Sequence, residues 1–276
     1  MPLESLEVMM IVFVQAAICF LSSLILGRLL ASSRLTRVAL DMPNERSLHA
    51  APVPRIGGVV IVLVWIVASA WSGFLPLLVL AGVLSTVSLL DDLRHLSAAL
   101  RLVVHLACAV AFLAFYGGDL AHMHLPIVAL SMVWMTNLYN FMDGSDGLAG
   151  GMAVIGFGVY AAGATMAGVP GIAHLSAMLA AAAGGFLVWN TSPARIFLGD
   201  VGAIPLGFLA AALGLIGAQG GAWPYWFPVL VFSPFIADST VTLLRRIGRR
   251  ERFWEPHREH YYQRLVRMGW SQLKVA

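Results

Sequence analysis

The sequence predicts an all-α fold: a polytopic transmembrane helical bundle of about nine spans. Three observations carry that expectation. Hydrophobic residues fill 59% of the 276 positions and charged residues only 11%, less than half of the roughly 25% that a water-soluble domain carries. Apolar runs of bilayer length, about 17–25 residues each, recur along the whole chain. The third is the placement of the basic residues, taken up below. A soluble enzyme, a disordered tail and a nucleic-acid module are excluded, because each needs more polar surface than this chain has. The formal charge of +3 and the pI near 9.1 reflect arginines in loops beside a lipid bilayer and imply no nucleic acid.

The spans follow in order. The first covers about 8–30 and is too long and too acidic at its N-terminal flank (Glu4, Glu7) for a cleavable signal. The others fall at about 56–72, 74–90, 100–116, 125–142, 149–167, 172–189, 202–219 and 223–244. With nine spans, the loops holding Arg28 to Arg55, Arg94 and Arg101, Arg195, and the basic residues after span nine all lie on one side. Those loops contain every one of the 17 Lys and Arg residues. This places the N-terminus outside and the C-terminus in the cytoplasm. Residues 1–244 form the transmembrane domain, and 245–276 a cytoplasmic basic and histidine-bearing segment. Cys19 and Cys108 lie far apart in apolar runs, with no metal or redox spacing.

Acidic residues follow the same partition. Asp41, Asp91, Asp92, Asp143, Asp146, Asp200 and Asp238 all fall at the cytoplasmic rim. A carboxylate near hydrocarbon costs about 2.5–3.5 kcal/mol on insertion scales, so a rim this acidic calls for a use. Asp91 and Asp92 close span three. Adjacent carboxylates repel unless a cation or proton sits between them; the pair can bind a metal or metal–phosphate complex, or hold one member poised as a base. Asn137, Asn140, Asp143 and Asp146 recur every third position and share a helix face. Gly144 and Gly147 then break the helix, so backbone can approach a ligand. Amides and carboxylates so spaced suit a nucleotide and a hard cation. Asn190 precedes Asp200 by ten residues, and Asp200 lies between glycines at a helix start. In the first loop, Arg46 and Arg55 of Pro-Asn-x-Arg-Ser-x-His and Pro-x-Pro-Arg-x-Gly-Gly are candidate phosphate contacts. No Lys-Ser or Lys-Thr follows Gly57-Gly58, so this is not a P-loop. In the tail, Pro256 starts a helix that puts His257 and His260 on one face, beside Arg258 and Arg264, as a phosphate cradle.

Taken together in this order, the segments resemble one family, the polyprenyl-phosphate N-acetylhexosamine-1-phosphate transferases of glycosyltransferase family 4. The resemblance spans about 41–264 and is most similar to the O-antigen-initiating undecaprenyl-phosphate branch. Its most specific piece is Asn-x-x-Asn-x-x-Asp-Gly-x-Asp-Gly-Leu at 137–148. The resemblance implies a bacterial inner-membrane enzyme with a periplasmic N-terminus and a cytoplasmic active site. It implies transfer of an N-acetylhexosamine-1-phosphate from a UDP-sugar to undecaprenyl phosphate, with release of UMP. Mg²⁺ is the implied cofactor, with Mn²⁺ as its substitute, and a homodimer is an implied assembly. Carried over by position, Asn140 and Asp200 are metal ligands. Asp91 and Asp92 deprotonate or position the lipid phosphate. Asn137, Asp143, Asp146 and Asn190 serve the nucleotide and diphosphate, and His257, Arg258 and His260 sit near the diphosphate. Two departures stand out. Ala203 replaces a common Ser, and the sequence ends at Ala276 where the family usually continues for one or two more spans.

Three other readings fit less. Asp143-Gly-Ser-Asp146-Gly147 matches the start of the CDP-alcohol phosphotransferase motif, but no Asp occurs from 147 to 199 to complete it. An intramembrane aspartyl protease needs Gly-x-Gly-Asp, and position 197 is Phe. A non-catalytic lipid or solute carrier fits the hydropathy but gives no reason for seven rim Asp residues.

Overall fold

The computed structural model describes residues 3–33, 39–41, 52–94, 96–251 and 257–276, with backbone alone at 3–9 and 119–123. Asn44, Arg46, His49 and Pro256 lie outside those residues. Seven long helices dominate: α1 (Leu3–Ser32), α3 (Leu75–Arg94), α4 (Ala98–Tyr116), α5 (Gly118–Phe141), α6 (Leu148–Met166), α7 (Pro170–Asn190) and α8 (Asp200–Gln219). Shorter ones are α2 (Gly58–Ala68), α9 (Phe227–Val231), α10 (Ser233–Gly248), α11 (Tyr261–Arg267) and α12 (Gln272–Val275). The only strands among the described residues are β1 (Leu40–Asp41) and β2 (Val53–Pro54), paired antiparallel with Leu40 opposite Pro54.

Among the described residues, six helices are long and apolar enough to cross a bilayer: α1, α3, α4, α6, α7 and α8. The other three expected spans differ for identifiable reasons. The 11 residues of α2 reach about 16 Å, half of a hydrocarbon core. In α5, His124 leaves helical geometry at φ −135° two residues before Pro126, whose missing N–H and ring clash kink a helix. The ninth expected span breaks at Phe232, because Pro228 and Pro234 each open a new helix, α9 and α10.

Helix α8 is the axis of the bundle and packs against α3, α5, α2, α6 and α4. Its side chains are small or apolar and almost all buried. By contrast α1 turns Phe13, Ile18 and Leu29 outward, as a lipid-facing helix does. Two indoles cross-link the bundle through their N–H groups: buried Trp65 donates to Leu175 O and half-buried Trp189 to Leu24 O, both at 2.9 Å. At the acidic end, Gly58 and Gly202 bring α2 and α8 into backbone contact. A Cβ on Gly58 would overlap Gly202 Cα. That close approach seats residues 54–58 on the start of α8.

Candidate active site

The site is assembled where five chain segments meet at that end. The stretch from Pro54 to Gly58 runs beside 197–198 as a short ladder. Phe197 N donates to Pro54 O (2.7 Å), Gly57 N to Phe197 O (2.9 Å) and Gly58 N to Leu198 O (2.8 Å). Gly199 turns the chain into α8 at φ +69°, and a Cβ there would collide with Arg55 O. Only glycine satisfies both constraints. The ladder fixes Arg55, whose Nη2 donates to Asp92 O (2.9 Å) and whose Nε lies 3.4 Å from Asp92 Oδ1.

The two adjacent carboxylates of α3 point to different partners. Asp91 Oδ1 accepts from Leu96 N (2.7 Å), and its Oδ2 takes Arg101 Nη1 at 2.9 Å. Ser97 caps α4 by accepting from Leu100 N, which sets Arg101 in the first turn above the pair. Asp92 turns inward with its side chain 4% exposed. Its Oδ2 is buried without a hydrogen-bond partner among the described residues, and lies 3.6 Å from where a Gly199 Cβ would sit.

Asp200 opens α8 with its side chain 28% exposed. It is hydrogen-bonded by the Asn140 side chain and lies 3.6 Å from the same Arg101 Nη1. Asp143, just past α5, accepts from Gly199 N at 3.1 Å. Burial raises its carboxyl well above the usual range, and the negative charges of Asp200, Asp92 and Asp41 raise it further, against the pull of the Gly199 N–H. Asp92, Asp143 and Asp200 therefore share one electrostatic environment, into which Arg55 and Arg101 bring positive charge beside Asp92 and Asp200. Among the described residues, no three His, Cys, Asp or Glu side chains form a complete metal site. A cation that takes one or two carboxylates, with water and phosphate filling the rest, needs less. An Asp, an amide and one orphaned buried carboxylate oxygen are a suitable hard-donor set for it.

The remaining expected residues hold loops. Asn190, buried, accepts from Gly147 N (3.2 Å) and donates to Ile196 O (3.0 Å). Asp146 accepts from Ala194 N (3.0 Å), while its own N–H donates to Gln272 Oε1 (2.7 Å). Both staple the signature loop to the segment before α8. Asn137 donates to Val133 O (2.7 Å) and its Nδ2 lies 3.3 Å from His105 Nδ1.

The histidine element corrects the expected helix. His257 and His260 do not share a helical face, because α11 starts only at Tyr261. Asp238 accepts from Tyr261 N (2.9 Å) and Tyr262 N (3.0 Å), so its carboxylate caps that start, and it meets His260 Nδ1 at 3.1 Å. The two rings still stack, 5.0 Å between centroids. Burial, then the charges of His260 and Arg246, lowers the His257 imidazole to about 4, so it is neutral at pH 7. Tyr262 donates to Phe141 O (3.1 Å) and so ties the tail to the end of α5. Arg258 lies half-buried between the histidines and α11.

Sequence reading passed over Arg101, His105, Tyr262 and Gln272. Arg101 carried one signal, since a guanidinium in the first turn of an apolar helix is costly unless paired. The other three act through contacts distant in sequence and carry no local pattern.

Comparison with known proteins follows the same residues. Positions 74–218, which include Asp91 through Asp200, match the family described as glycosyl transferase family 4. The chain is 30% identical over 254 residues to the probable undecaprenyl-phosphate N-acetylglucosaminyl 1-phosphate transferase of Bacillus subtilis (strain 168), covering 84% of this chain and 71% of that protein. It is 30% identical over 161 residues to the phospho-N-acetylmuramoyl-pentapeptide-transferase of Halalkalibacterium halodurans, covering 57% of this chain and 47% of that protein. It is 27% identical over 258 residues to the undecaprenyl-phosphate alpha-N-acetylglucosaminyl 1-phosphate transferase of Yersinia pestis, covering 84% of this chain and 70% of that protein.

Proposed function

We propose, since this chain belongs to glycosyl transferase family 4, that it transfers an N-acetylhexosamine-1-phosphate from a UDP-sugar to undecaprenyl phosphate. The family moves sugar phosphates onto polyprenyl phosphates. Our reading adds the donor, a bacterial inner-membrane location with the site facing the cytoplasm, and a role in starting an O-antigen-like polysaccharide. An oxygen of the lipid phosphate attacks the β-phosphorus of the donor. The bond from that phosphorus to the oxygen bridging the two phosphates breaks, and UMP leaves with the electron pair.

One observation carries the proposal: Asp92, Asp143 and Asp200, from three separate segments, crowd one partly buried environment with an unpartnered oxygen on Asp92. Asp200, the Asn140 amide and Asp92 Oδ2 would hold Mg²⁺ or Mn²⁺. When bound, that ion neutralises phosphate charge as it moves to the leaving group. Asp92 is the member of the adjacent pair that serves the reacting phosphates, because Asp91 is consumed in anchoring Arg101. Arg55 and Arg101 supply positive charge at the mouth, where positioning and electrostatics provide most of the rate in phosphoryl transfer. Asn190 and Asp146 keep the signature loop in register, and His257 and Arg258 approach the diphosphate. An apolar cavity of about 300 Å³, lined by Met132, Leu138, Tyr160, Leu215, Phe232 and Ile236, offers the prenyl chain a slot along α5 and α8.

Purified protein given undecaprenyl phosphate and a panel of UDP-N-acetylhexosamines tests this. Divalent-dependent UMP release with label passing to lipid is the expected result. Absence of both with every donor would refute the assignment.

A further inference from the structure

One helical turn beneath the acidic layer, α4 and α5 bring His105 and Asn137 together. On α4, His105 follows Arg101 by one turn, and Arg101 Nη1 lies 2.9 Å from Asp91 and 3.6 Å from Asp200. On α5, Asn137 precedes Asn140 by one turn, and the Asn140 side chain bonds Asp200. Residues three and four apart share a helix face. Both steps run away from the polar end, so the pair floors the site about 5.4 Å deeper. His105 is buried and Asn137 half-buried.

The two hydrogens of the Asn137 amide are both committed. Its Nδ2 reaches Val133 O at 2.7 Å and His105 Nδ1 at 3.3 Å. A carbonyl oxygen only accepts, so the amide atom facing it is the nitrogen, and one hydrogen goes there. The other goes to His105 Nδ1, which accepts only as an unprotonated ring nitrogen. The imidazole is then neutral, with its proton on Nε2. Asn137 has only Oδ1 left to offer a ligand. No described residue donates to that oxygen, and it is not sealed from solvent. Phosphate oxygens are acceptors and gain nothing from it, whereas a hydroxyl or N–H hydrogen does.

We propose that His105 is a positioning residue for nucleotide binding. By accepting the second Asn137 hydrogen, it leaves Asn137 Oδ1 to take a hydroxyl or N–H hydrogen of the nucleoside, not a phosphate oxygen. The inference rests on the UDP-sugar donor proposed above. In the full-length protein, His105→Leu is expected to raise KM for the UDP-sugar and Kd for UDP about fivefold, with kcat less affected. His105→Asn, whose Oδ1 stands where Nδ1 stood, is expected to restore both. In an Asn137→Ala background, His105→Leu is expected to add nothing, because its effect runs through that amide. Unchanged values in His105→Leu, or no rescue by His105→Asn, would overturn the proposal. So would the same fivefold rise on top of Asn137→Ala, which would make His105 a packing residue. A further measurement needs neither turnover nor ligand: nitrogen NMR of isotope-labelled histidines, with His105 identified by the signal missing from His105→Asn. An unprotonated Nδ1 and a protonated Nε2 are expected, and a protonated Nδ1 would overturn the proposal. Wild-type protein that shows the expected signature yet binds no UDP would refute the donor, and with it the nucleoside as the ligand of Asn137.

Discussion

At the scale of single residues, neighbours in sequence have separate tasks. Asp91 and Asp92 read as one acidic pair, yet α3 ends so that Asp91 faces Arg101 and the 94–97 turn while Asp92 faces the start of α8. Asp92→Asn is therefore expected to cost more turnover than Asp91→Asn, measured as UMP release; equal losses would count against this division. Asp200→Asn removes the charged member of the proposed cation set. It should lower turnover by about 10²–10³-fold, the loss seen when a transition-state charge partner is deleted, and wild-type turnover would refute the role. His257 has a pH signature of its own. Its pKa falls from about 6.5 unfolded to about 4 folded. The unfolded chain thus binds the extra proton, and stability rises with pH through that window. His257 therefore contributes stability above about pH 6.5, and that contribution is lost as pH falls toward 4. Thermal melts of His257→Gln should show a shallower decline than wild type over this range; parallel declines would assign the acid sensitivity elsewhere.

At the scale of elements, sequence pattern and structure agree where a helix is continuous and diverge where one breaks within an apolar run, at Ser69, at His124 and at Phe232. The hydropathy of α3, α4, α6, α7 and α8 reads directly as spans. It could not show that α2 stops after 11 residues or that Phe232 divides the last apolar run, since both are breaks within apolar sequence. The candidate site was legible to the extent that its residues lie in local motifs. Asn137, Asn140 and Asp143 stand out by spacing, whereas Arg101, Tyr262 and Gln272 join through contacts that no spacing encodes. The histidine tail was misread in form because its helix is capped by Asp238, more than 20 residues away. Removing that cap is informative: Asp238→Ala leaves two backbone donors and His260 without their acceptor and should cost about 1–3 kcal/mol, seen as a lower melting temperature. The turn into α8 is stricter. Gly199→Ala forces a side chain to φ +69° against Arg55 O, which should lower both folded yield and turnover. Retention of both would show that the 54–58 ladder tolerates displacement.

At the scale of the molecule, the bundle has one polar end and gathers there what the chain disperses. Helix α8 is buried along its length, so its first residue is held wherever α2, α3 and α5 hold the helix. Asp92, Asp143 and Asp200 meet because three helices converge, with the 54–58 stretch paired to the segment before α8 and Tyr262 tied to the end of α5. The central claim is that convergence. Its most direct test is cross-linking of Asp92→Cys with Asp200→Cys by a short thiol reagent, after replacing Cys19 and Cys108 with Ala. Efficient intramolecular cross-linking, with both positions labelled from the same side of sealed vesicles, is the predicted result. Labelling of the two positions from opposite sides, with no cross-link, would contradict the account.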